Sequence, residues 1–329
     1  MSRTIFFSRF RVAPAFSFVV VAGVLVFVHL RVDRPMLLLE RFRPGWGWLE
    51  IAALAVYAAW LTPKMLDPDR ARIWRPRFWR LFSLVFFGQL VLGLWADSRF
   101  LMTGTLHLPI PALIIAGPVF RMTLSFMPIL FFATVLLVGP AWCSHLCYIG
   151  AWDDLASRAR QPHPLLRWRK SVRVAILAGI VATAWVFRLA GVSGVVATVT
   201  AGLFGAAGVV MMAFWSRRSG QMAHCVTFCP IGLIAGLLGR LNPFRLKIEA
   251  GCTDCLACRR FCRYDALTPE DIARRRPGLS CTLCGDCLSG CPSGMFSIRF
   301  PGLTPRTART LFVVLAVSLH AVFLGLARI

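Results

Sequence analysis

The sequence predicts a polytopic α-helical membrane protein with about seven transmembrane helices and a small, cysteine-rich α+β domain inserted before the last helix. The chain has 329 residues, of which 57% are hydrophobic, and its mean hydropathy is +0.68. No soluble domain needs that much apolar surface, so membrane spans are the first expectation. Apolar runs of near-spanning length lie at 12–30, 46–62, 81–96, 123–140, 174–191, 195–215 and 311–327.

The net charge of +23 has two candidate sources, nucleic-acid binding and basic cytoplasmic loops. If the N-terminus lies inside, the inner segments are 1–11, 63–80, 141–173 and 216–310, and they hold most of the chain's 37 Lys and Arg residues. Segment 31–45 is the exception, since it is basic on the outer side. The distribution predicts a multi-pass protein of the inner (cytoplasmic) membrane, and no nucleic acid is needed as a partner.

Eight of the 12 cysteines form two runs with the same C-x2-C-x2-C-x3-C spacing. Two-cluster ferredoxins use this spacing, and the fourth Cys of each run binds the other [4Fe–4S] cube. The predicted ligands are Cys252, Cys255, Cys258 and Cys291 for one cluster, and Cys281, Cys284, Cys287 and Cys262 for the other. Pro292 follows Cys291 as the motif requires, whereas Arg263 follows Cys262. Structural zinc needs only four ligands, and disulfide frameworks belong to small secreted domains, so both fit less well.

The remaining four cysteines form two C-x3-C pairs, Cys143 with Cys147 and Cys225 with Cys229, each followed by Tyr or Pro and then Ile-Gly. Each pair follows two apolar runs, so the membrane core reads as two span–span–thiol units. On a helix, residues four apart share a face, so each pair is expected to present two sulfurs in one direction. Asp153 and Asp154 come next and are expected to begin a surface helix.

The C-x3-C pairs followed by the paired cysteine runs resemble the C-x3-C-P membrane ferredoxins. That family includes the quinol-oxidising subunit of periplasmic nitrate reduction, the methylamine-utilisation ferredoxin and the membrane electron donor of nitrous oxide reductase. The resemblance covers residues 81–300 and departs from the family at Tyr148, where the family has proline. It implies a membrane-bound electron-transfer protein, without identifying the pathway.

The predicted organisation has four parts. Residues 1–80 form N-terminal anchor helices, and 81–241 form the membrane core with the two C-x3-C units. Residues 242–303 form a cytoplasmic two-[4Fe–4S] ferredoxin-like domain, and 304–329 form the C-terminal transmembrane helix.

Three roles are open for Cys143, Cys147, Cys225 and Cys229. They form a candidate third metal site, with His145 and His224 nearby and with a soft ion such as Cu(I) as one occupant. They also suit a redox dithiol relay, because paired thiols exchange two electrons. The third role is structural, as small buried residues.

The predicted function is electron transfer between the membrane and a redox partner protein through two [4Fe–4S] clusters, with quinol as a candidate donor. One alternative is a copper reductase or copper-handling factor that uses the C-x3-C pairs, and another is a membrane redox sensor or assembly factor. No phosphate-binding glycine loop or paired catalytic carboxylates stand out, so an electron carrier, or a quinol dehydrogenase-type subunit, fits better than a stand-alone enzyme. The tract Arg274–Arg276 predicts contact with anionic membrane lipids or with an acidic partner.

Overall fold

The computed structural model describes residues 3–101, 110–123, 126–165 and 168–326, with side chains from residue 12 onward. Within these ranges the chain is mostly helical. It divides into two compact units, residues 1–107 with 300–329 and residues 108–299. The four-part organisation expected from the sequence remains a prediction.

The first unit is a helical assembly that includes the last helix of the chain. The helices Arg3–Arg31 (α1), Gly47–Leu66 (α3) and Pro305–Gly325 (α15) pack together. Their buried residues include Leu25, Ala58, Leu61 and Val317. Inside this core Thr62 Oγ1 donates a hydrogen bond of 2.7 Å to Ser17 Oγ. The elements are α1 (Arg3–Arg31), α2 (Leu38–Phe42), α3 (Gly47–Leu66), α4 (Pro68–Trp95), a 3₁₀ turn (Ser98–Phe100) and α15 (Pro305–Gly325).

The second unit contains further apolar helices and all of the cysteines. Its helices are α5 (Leu113–Arg121), α6 (Phe126–Val138), α7 (Trp142–His145), α8 (Tyr148–Ser157), α9 (Arg169–Leu189), α10 (Gly194–Met211), α11 (Arg217–Ser219), α12 (Pro230–Leu238), α13 (Pro269–Ala273) and α14 (Asp286–Ser289). The 3₁₀ turns are Gly139–Ala141 and Ala257–Phe261, the π-helical turns are Met212–Ser216 and His224–Phe228, and the strands are β1 (Arg245–Ile248) and β2 (Phe296–Arg299).

Seven helices in the described part of the chain are long and apolar enough to cross a membrane. They are Val12–Arg31, Gly47–Leu66, Pro68–Trp95, Phe126–His145, Arg169–Leu189, Gly194–Ser219 and Pro305–Gly325. Each overlaps one of the apolar runs expected from the sequence. Large apolar side chains such as Leu189, Val195 and Leu203 point outward, as lipid-facing residues do. The protein is therefore a multi-pass membrane protein.

The cysteine-rich segment is closed by a two-stranded antiparallel sheet. Strand β1 pairs with β2 in a register that sets Arg245 opposite Arg299 and Ile248 opposite Phe296. The sheet brings together the two ends of the segment that carries both cysteine runs. Its small core consists of the buried residues Ile248, Cys258, Leu267, Ile272, Cys287 and Phe296.

Candidate iron–sulfur centres

The two cysteine runs have the same backbone conformation at equivalent positions. The residue before the second Cys of each run has a left-handed φ, 54° at Asp254 and 53° at Leu283. The residue after it is also left-handed, with φ of 58° at Leu256 and 82° at Gly285. These turns keep the x2 spacers curled around one centre. Non-glycine residues rarely adopt this conformation, so its repetition points to a shared purpose.

The fourth cysteines of the two runs are also equivalent. The amide of Ala266 donates to Cys262 Sγ, and the amide of Met295 donates to Cys291 Sγ, both at 3.3 Å. Each bond joins a sulfur to the amide four residues later. Amide donors of this kind stabilise a thiolate and tune the potential of a bound cluster.

The electrostatic neighbours of the central cysteines correspond to the crossed ligand sets. Burial raises the pKa of Cys258 to about 11, and Cys291, Cys252 and Cys255 are the thiols close enough to add to that effect. Burial also raises the pKa of Cys287, with added effects of Cys284, Cys281 and Cys262. Each central cysteine therefore lies among three thiols, one of which comes from the other run.

The second predicted cluster set also contains two thiols whose pKa is raised by burial. Burial raises the pKa of both Cys262 and Cys281 to about 12. Metals bind the thiolate, so each such ligand must release a proton when iron binds.

The C-x3-C pairs do not lie on continuous helices, contrary to the sequence-based expectation. Cys143 lies in α7, while Cys147 is the N-cap of α8 with extended φ and ψ of −80° and 114°. Cys225 lies in the π-helical turn, while Cys229 is the N-cap of α12 with φ and ψ of −73° and 118°. At both sites the amide of the second Cys bonds to the carbonyl five residues earlier. Such π-type turns are frequent at functional sites.

This break directs the amides at a helix N-terminus toward a sulfur at each site. Burial raises the pKa of Cys147 to about 12, whereas the amides of Gly150 and Ile149 lower it. Burial likewise raises the pKa of Cys229, against the amides of Gly232 and Ile231. Helix N-termini favour thiolates in this way.

The position at which the first C-x3-C site departs from the family proline is therefore the first residue of a helix. Pro230 occupies that position in α12, and Tyr148 occupies it in α8. Proline is common there because its missing N–H has no helical partner and its φ suits the helix. The substitution by Tyr148 leaves the backbone of the thiol pair nearly unchanged.

The two C-x3-C pairs lie together. Cys143, Cys147 and Cys229 all contribute to the electrostatic environment of Cys225. The four sulfurs line one cavity of about 460 Å³, counting the space at its open side. The same cavity is lined by Arg173 of α9 and by Cys281, a predicted ligand of the second ferredoxin cluster. The four thiols of the C-x3-C pairs are called the thiol quartet below.

The donor atoms of the thiol quartet are four sulfurs around one cavity. Among the described residues, no three His, Cys, Asp or Glu side chains are grouped as the ligands of one ion, and this holds for the two ferredoxin-type cysteine sets as well as for the quartet. Zn–S bonds of 2.3 Å require sulfurs about 3.8 Å apart. The thiolates on a [4Fe–4S] cube bind four separate irons, so they stand further apart and need no such convergence. An all-thiolate donor set suits an iron–sulfur cluster.

Arg263 and Asp265, which follow Cys262, anchor the cysteine-rich segment to the membrane core. Arg263 Nη1 donates to the carbonyls of Ser157 at 2.6 Å and of Gly220 at 2.8 Å. Asp265 makes an ion pair of 2.6 Å with Arg169 at the start of α9, and both side chains are largely buried. The departure from the ferredoxin motif at Arg263 thus supplies a contact, and sequence spacing gave no sign of it.

The polar residues near the quartet have other roles than the sequence suggested. Asp153 and Asp154 are buried inside α8, so the expectation of a surface helix start is wrong. Asp153 accepts a hydrogen bond of 2.9 Å from the amide of Cys225 and so joins the two C-x3-C sites. His145 Nδ1 lies 3.2 Å from the carbonyl of Ala141, and His224 lines a separate apolar pocket.

Comparison with known proteins finds similarity to an iron–sulfur family in the two stretches that contain the C-x3-C pairs. Two stretches, residues 120–173 and 198–249, match a family described as a 4Fe-4S binding domain. The first contains Cys143 and Cys147, and the second contains Cys225 and Cys229. The double match agrees with two repeated span–span–thiol units.

Two curated proteins are similar to parts of the chain. An uncharacterized protein of Methanocaldococcus jannaschii is 29% identical over 89 residues, which is 27% of this chain and 34% of that protein. YccM of Escherichia coli (strain K12), which carries the provisional name of electron transport protein, is 28% identical over 116 residues, 31% of this chain and 32% of that protein. The chain thus spans about a third of the length of each relative. No solved structure matches it.

These findings define the class of the protein as a multi-pass membrane protein in which two regions are similar to a 4Fe-4S binding domain. The resemblance to the membrane ferredoxin family is confirmed at this level by the family match and by the similarity to YccM.

Proposed function

We propose that the protein carries electrons one at a time between the membrane and a redox partner protein through [4Fe–4S] clusters. Two clusters bind in the segment 242–303 with the crossed ligand sets. The equivalent turns at Asp254 and Leu283 and the equivalent amide–sulfur bonds at Cys262 and Cys291 support this assignment. The provisional name of the relative YccM is consistent with it.

A third cluster binds at the thiol quartet, and the cavity that the quartet shares with Cys281 is the observation that carries the proposal. Electron transfer requires centres that are close to one another. A cluster at the quartet would be next to the cluster bound by Cys281, Cys284, Cys287 and Cys262. The clusters then form a series of redox centres that leads from the membrane core into the cysteine-rich segment. At each centre this protein supplies thiolates, amide donors and exclusion of water.

The proposed orientation sets the cysteine-rich segment on the cytoplasmic side of the inner membrane. Most of the Lys and Arg residues lie in segments that would then face the cytoplasm. The electron donor is proposed to be quinol, because the sequence carries no nicotinamide or flavin fingerprint. The direction of flow depends on the cluster potentials, which span about −700 to +450 mV in proteins.

The copper-handling alternative uses the same four thiols, and a soft ion such as Cu(I) would occupy the quartet in place of iron. A redox sensor or assembly factor would bind the same clusters without sustained turnover. Quinol-dependent reduction of the clusters over many cycles distinguishes a carrier from a sensor.

The test is an iron and sulfide count on the full-length protein purified without oxygen. About twelve irons per chain are expected for three cubes, and about eight would remove the third. The double variant Cys143→Ala with Cys229→Ala is expected to lose about four irons, while the electron paramagnetic resonance (EPR) signals of the other clusters remain. The matched control, Cys258→Ala with Cys291→Ala, should lose one ferredoxin cluster and keep the quartet signal. Copper bound at the quartet of the unmodified protein in place of four irons would overturn the proposed third cluster. A protein without any iron would overturn the whole proposal.

A further inference from the structure

Arg173 is a buried cation without a carboxylate partner. It lies in α9, four residues after Arg169, and only 4% of it is exposed. Arg169 is neutralised by its ion pair with Asp265. In the described part of the chain, Arg173 Nε has no hydrogen-bond partner, and the groups that attract its charge are the thiols Cys229, Cys143 and Cys225.

An unpaired guanidinium inside a protein is strongly destabilising, since its hydration is lost without compensation. Neutral thiols do not supply the missing negative charge. Arg173 lines the cavity that the quartet shares with Cys281, so it faces the space where an anionic group would sit. The position of Arg173 therefore suits an anionic group bound among the thiols of the quartet.

A thiolate-bound [4Fe–4S] cluster is such an anion. Four thiolates bring more negative charge than the oxidised core brings positive charge, and uptake of one electron adds a further negative unit. A nearby cation stabilises the reduced form more than the oxidised form, because the reduced form carries more negative charge. Net charge and hydrogen bonds to sulfur are known controls of cluster potential.

We propose that Arg173 is the charge-balancing residue of the cluster at the thiol quartet and that it raises the reduction potential of that cluster. This inference rests on the proposed function, which assigns a cluster to Cys143, Cys147, Cys225 and Cys229. The electron enters from a quinol or, in the test below, from dithionite. It resides on the iron–sulfur core, and the fixed charge of Arg173 balances it without a proton.

The surroundings of Arg173 hold its guanidinium near the N-terminus of α12. A Cβ added at Gly232 would lie 3.1 Å from Arg173 Nη2 and 2.9 Å from the carbonyl oxygen of Cys225. Gly232 is the glycine of the second Ile-Gly sequence, and its amide is directed at Cys229. The absent side chain leaves room for Arg173. A positive helix terminus and a guanidinium thus act together beside Cys229.

The test compares three variants of the full-length protein by EPR-monitored redox titration, with iron and sulfide counted on each sample. Arg173→Gln removes the charge and keeps a polar side chain, and Arg173→Lys keeps the charge. The matched control, Lys170→Gln, removes an equal charge from an exposed position on the same helix.

Arg173→Gln is expected to lower the potential of the quartet cluster, so that the reduced-to-oxidised ratio at a fixed potential falls at least tenfold, a shift of 59 mV for one electron. Arg173→Lys should shift it less, and Lys170→Gln should leave it unchanged. Loss of the cluster in Arg173→Gln that Arg173→Lys restores also supports the inference.

Two results would overturn the inference without contradicting a third cluster in the unmodified protein. One is an Arg173→Gln protein with about twelve irons and the potential of the Lys170→Gln control. The other is equal loss of the cluster in Arg173→Gln and Arg173→Lys, which would make Arg173 a packing residue. About eight irons in the unmodified protein would instead contradict the proposed third cluster, on which the inference rests.

Discussion

Arg263 follows the fourth cysteine of the first run, at the position where the second run has Pro292. Its side chain links separate segments of the chain. Its Nη1 donates to the carbonyls of Ser157 and Gly220, and its own carbonyl accepts a bond of 2.8 Å from the amide of Met222. Hydrogen bonds that involve a charged group contribute about 1.5–3 kcal/mol each. Arg263 therefore ties the cysteine-rich segment to the end of α8 and to the turn that follows α11.

Replacement of Arg263 by Ala should loosen this attachment without removing a cluster ligand. We expect amide hydrogen exchange around Ser157 and Met222 to become roughly tenfold faster or more, since local opening no longer breaks the bonds of the guanidinium. Mass spectrometry of the exchanged protein measures this rate. Arg260→Ala is the matched control, because Arg260 is exposed in the same run. Equal exchange in the two variants would show that Arg263 does not hold the segment.

How much of the site the sequence predicts depends on the range of the interaction. The cysteine runs and the Ile-Gly sequences are local patterns, so the ligand candidates could be named from spacing alone. Arg173 and Asp265 could not be found in this way. Each gains its importance from residues far along the chain, Cys225 and Cys229 for Arg173 and Arg169 for Asp265. A basic residue near the start of an apolar run otherwise indicates a membrane boundary.

At the scale of elements, each C-x3-C pair is a junction between two short helical pieces. The sequence predicted the pairing of two sulfurs but assumed one continuous helix. The break was not predictable from helix periodicity, because the spacing of four residues suits both a helical turn and the π-type turn. The N-cap position of Cys147 and Cys229 is what brings helix amides to a sulfur.

Gly232→Ala tests this junction. The added Cβ would approach the Cys225 carbonyl oxygen to 2.9 Å, and backbone cannot move away cheaply. We expect the variant to lose the quartet cluster or to alter its EPR spectrum, while both ferredoxin clusters keep theirs. Gly202→Ala is the control, since a Cβ there meets nothing within 4 Å and alanine favours a helix by about 1 kcal/mol. An unchanged quartet spectrum in Gly232→Ala would contradict the geometry of the junction.

At the scale of the whole molecule, the seven apolar helices and the basic segments were both readable from composition, because lipid imposes length and apolarity on every span. The side of the membrane rests on charge alone. Lys and Arg are retained on the cytoplasmic side, so the turn at Gly191 should face outward and the turn at Gly302 should face the cytoplasm. Both glycines have a positive φ and nothing within 4 Å of an added Cβ, so each turn accepts an insertion.

A short epitope tag inserted at either glycine tests this orientation. An antibody applied to cells with an intact inner membrane should bind the tag at Gly191, because the turn between α9 and α10 lies outside. The tag at Gly302 should bind only after the membrane is permeabilised, because it follows the basic cysteine-rich segment. Equal expression of the two tagged proteins and retention of their iron serve as controls. The reverse pattern would place the iron–sulfur segment outside the cytoplasm, and the electron acceptor would then have to be sought there.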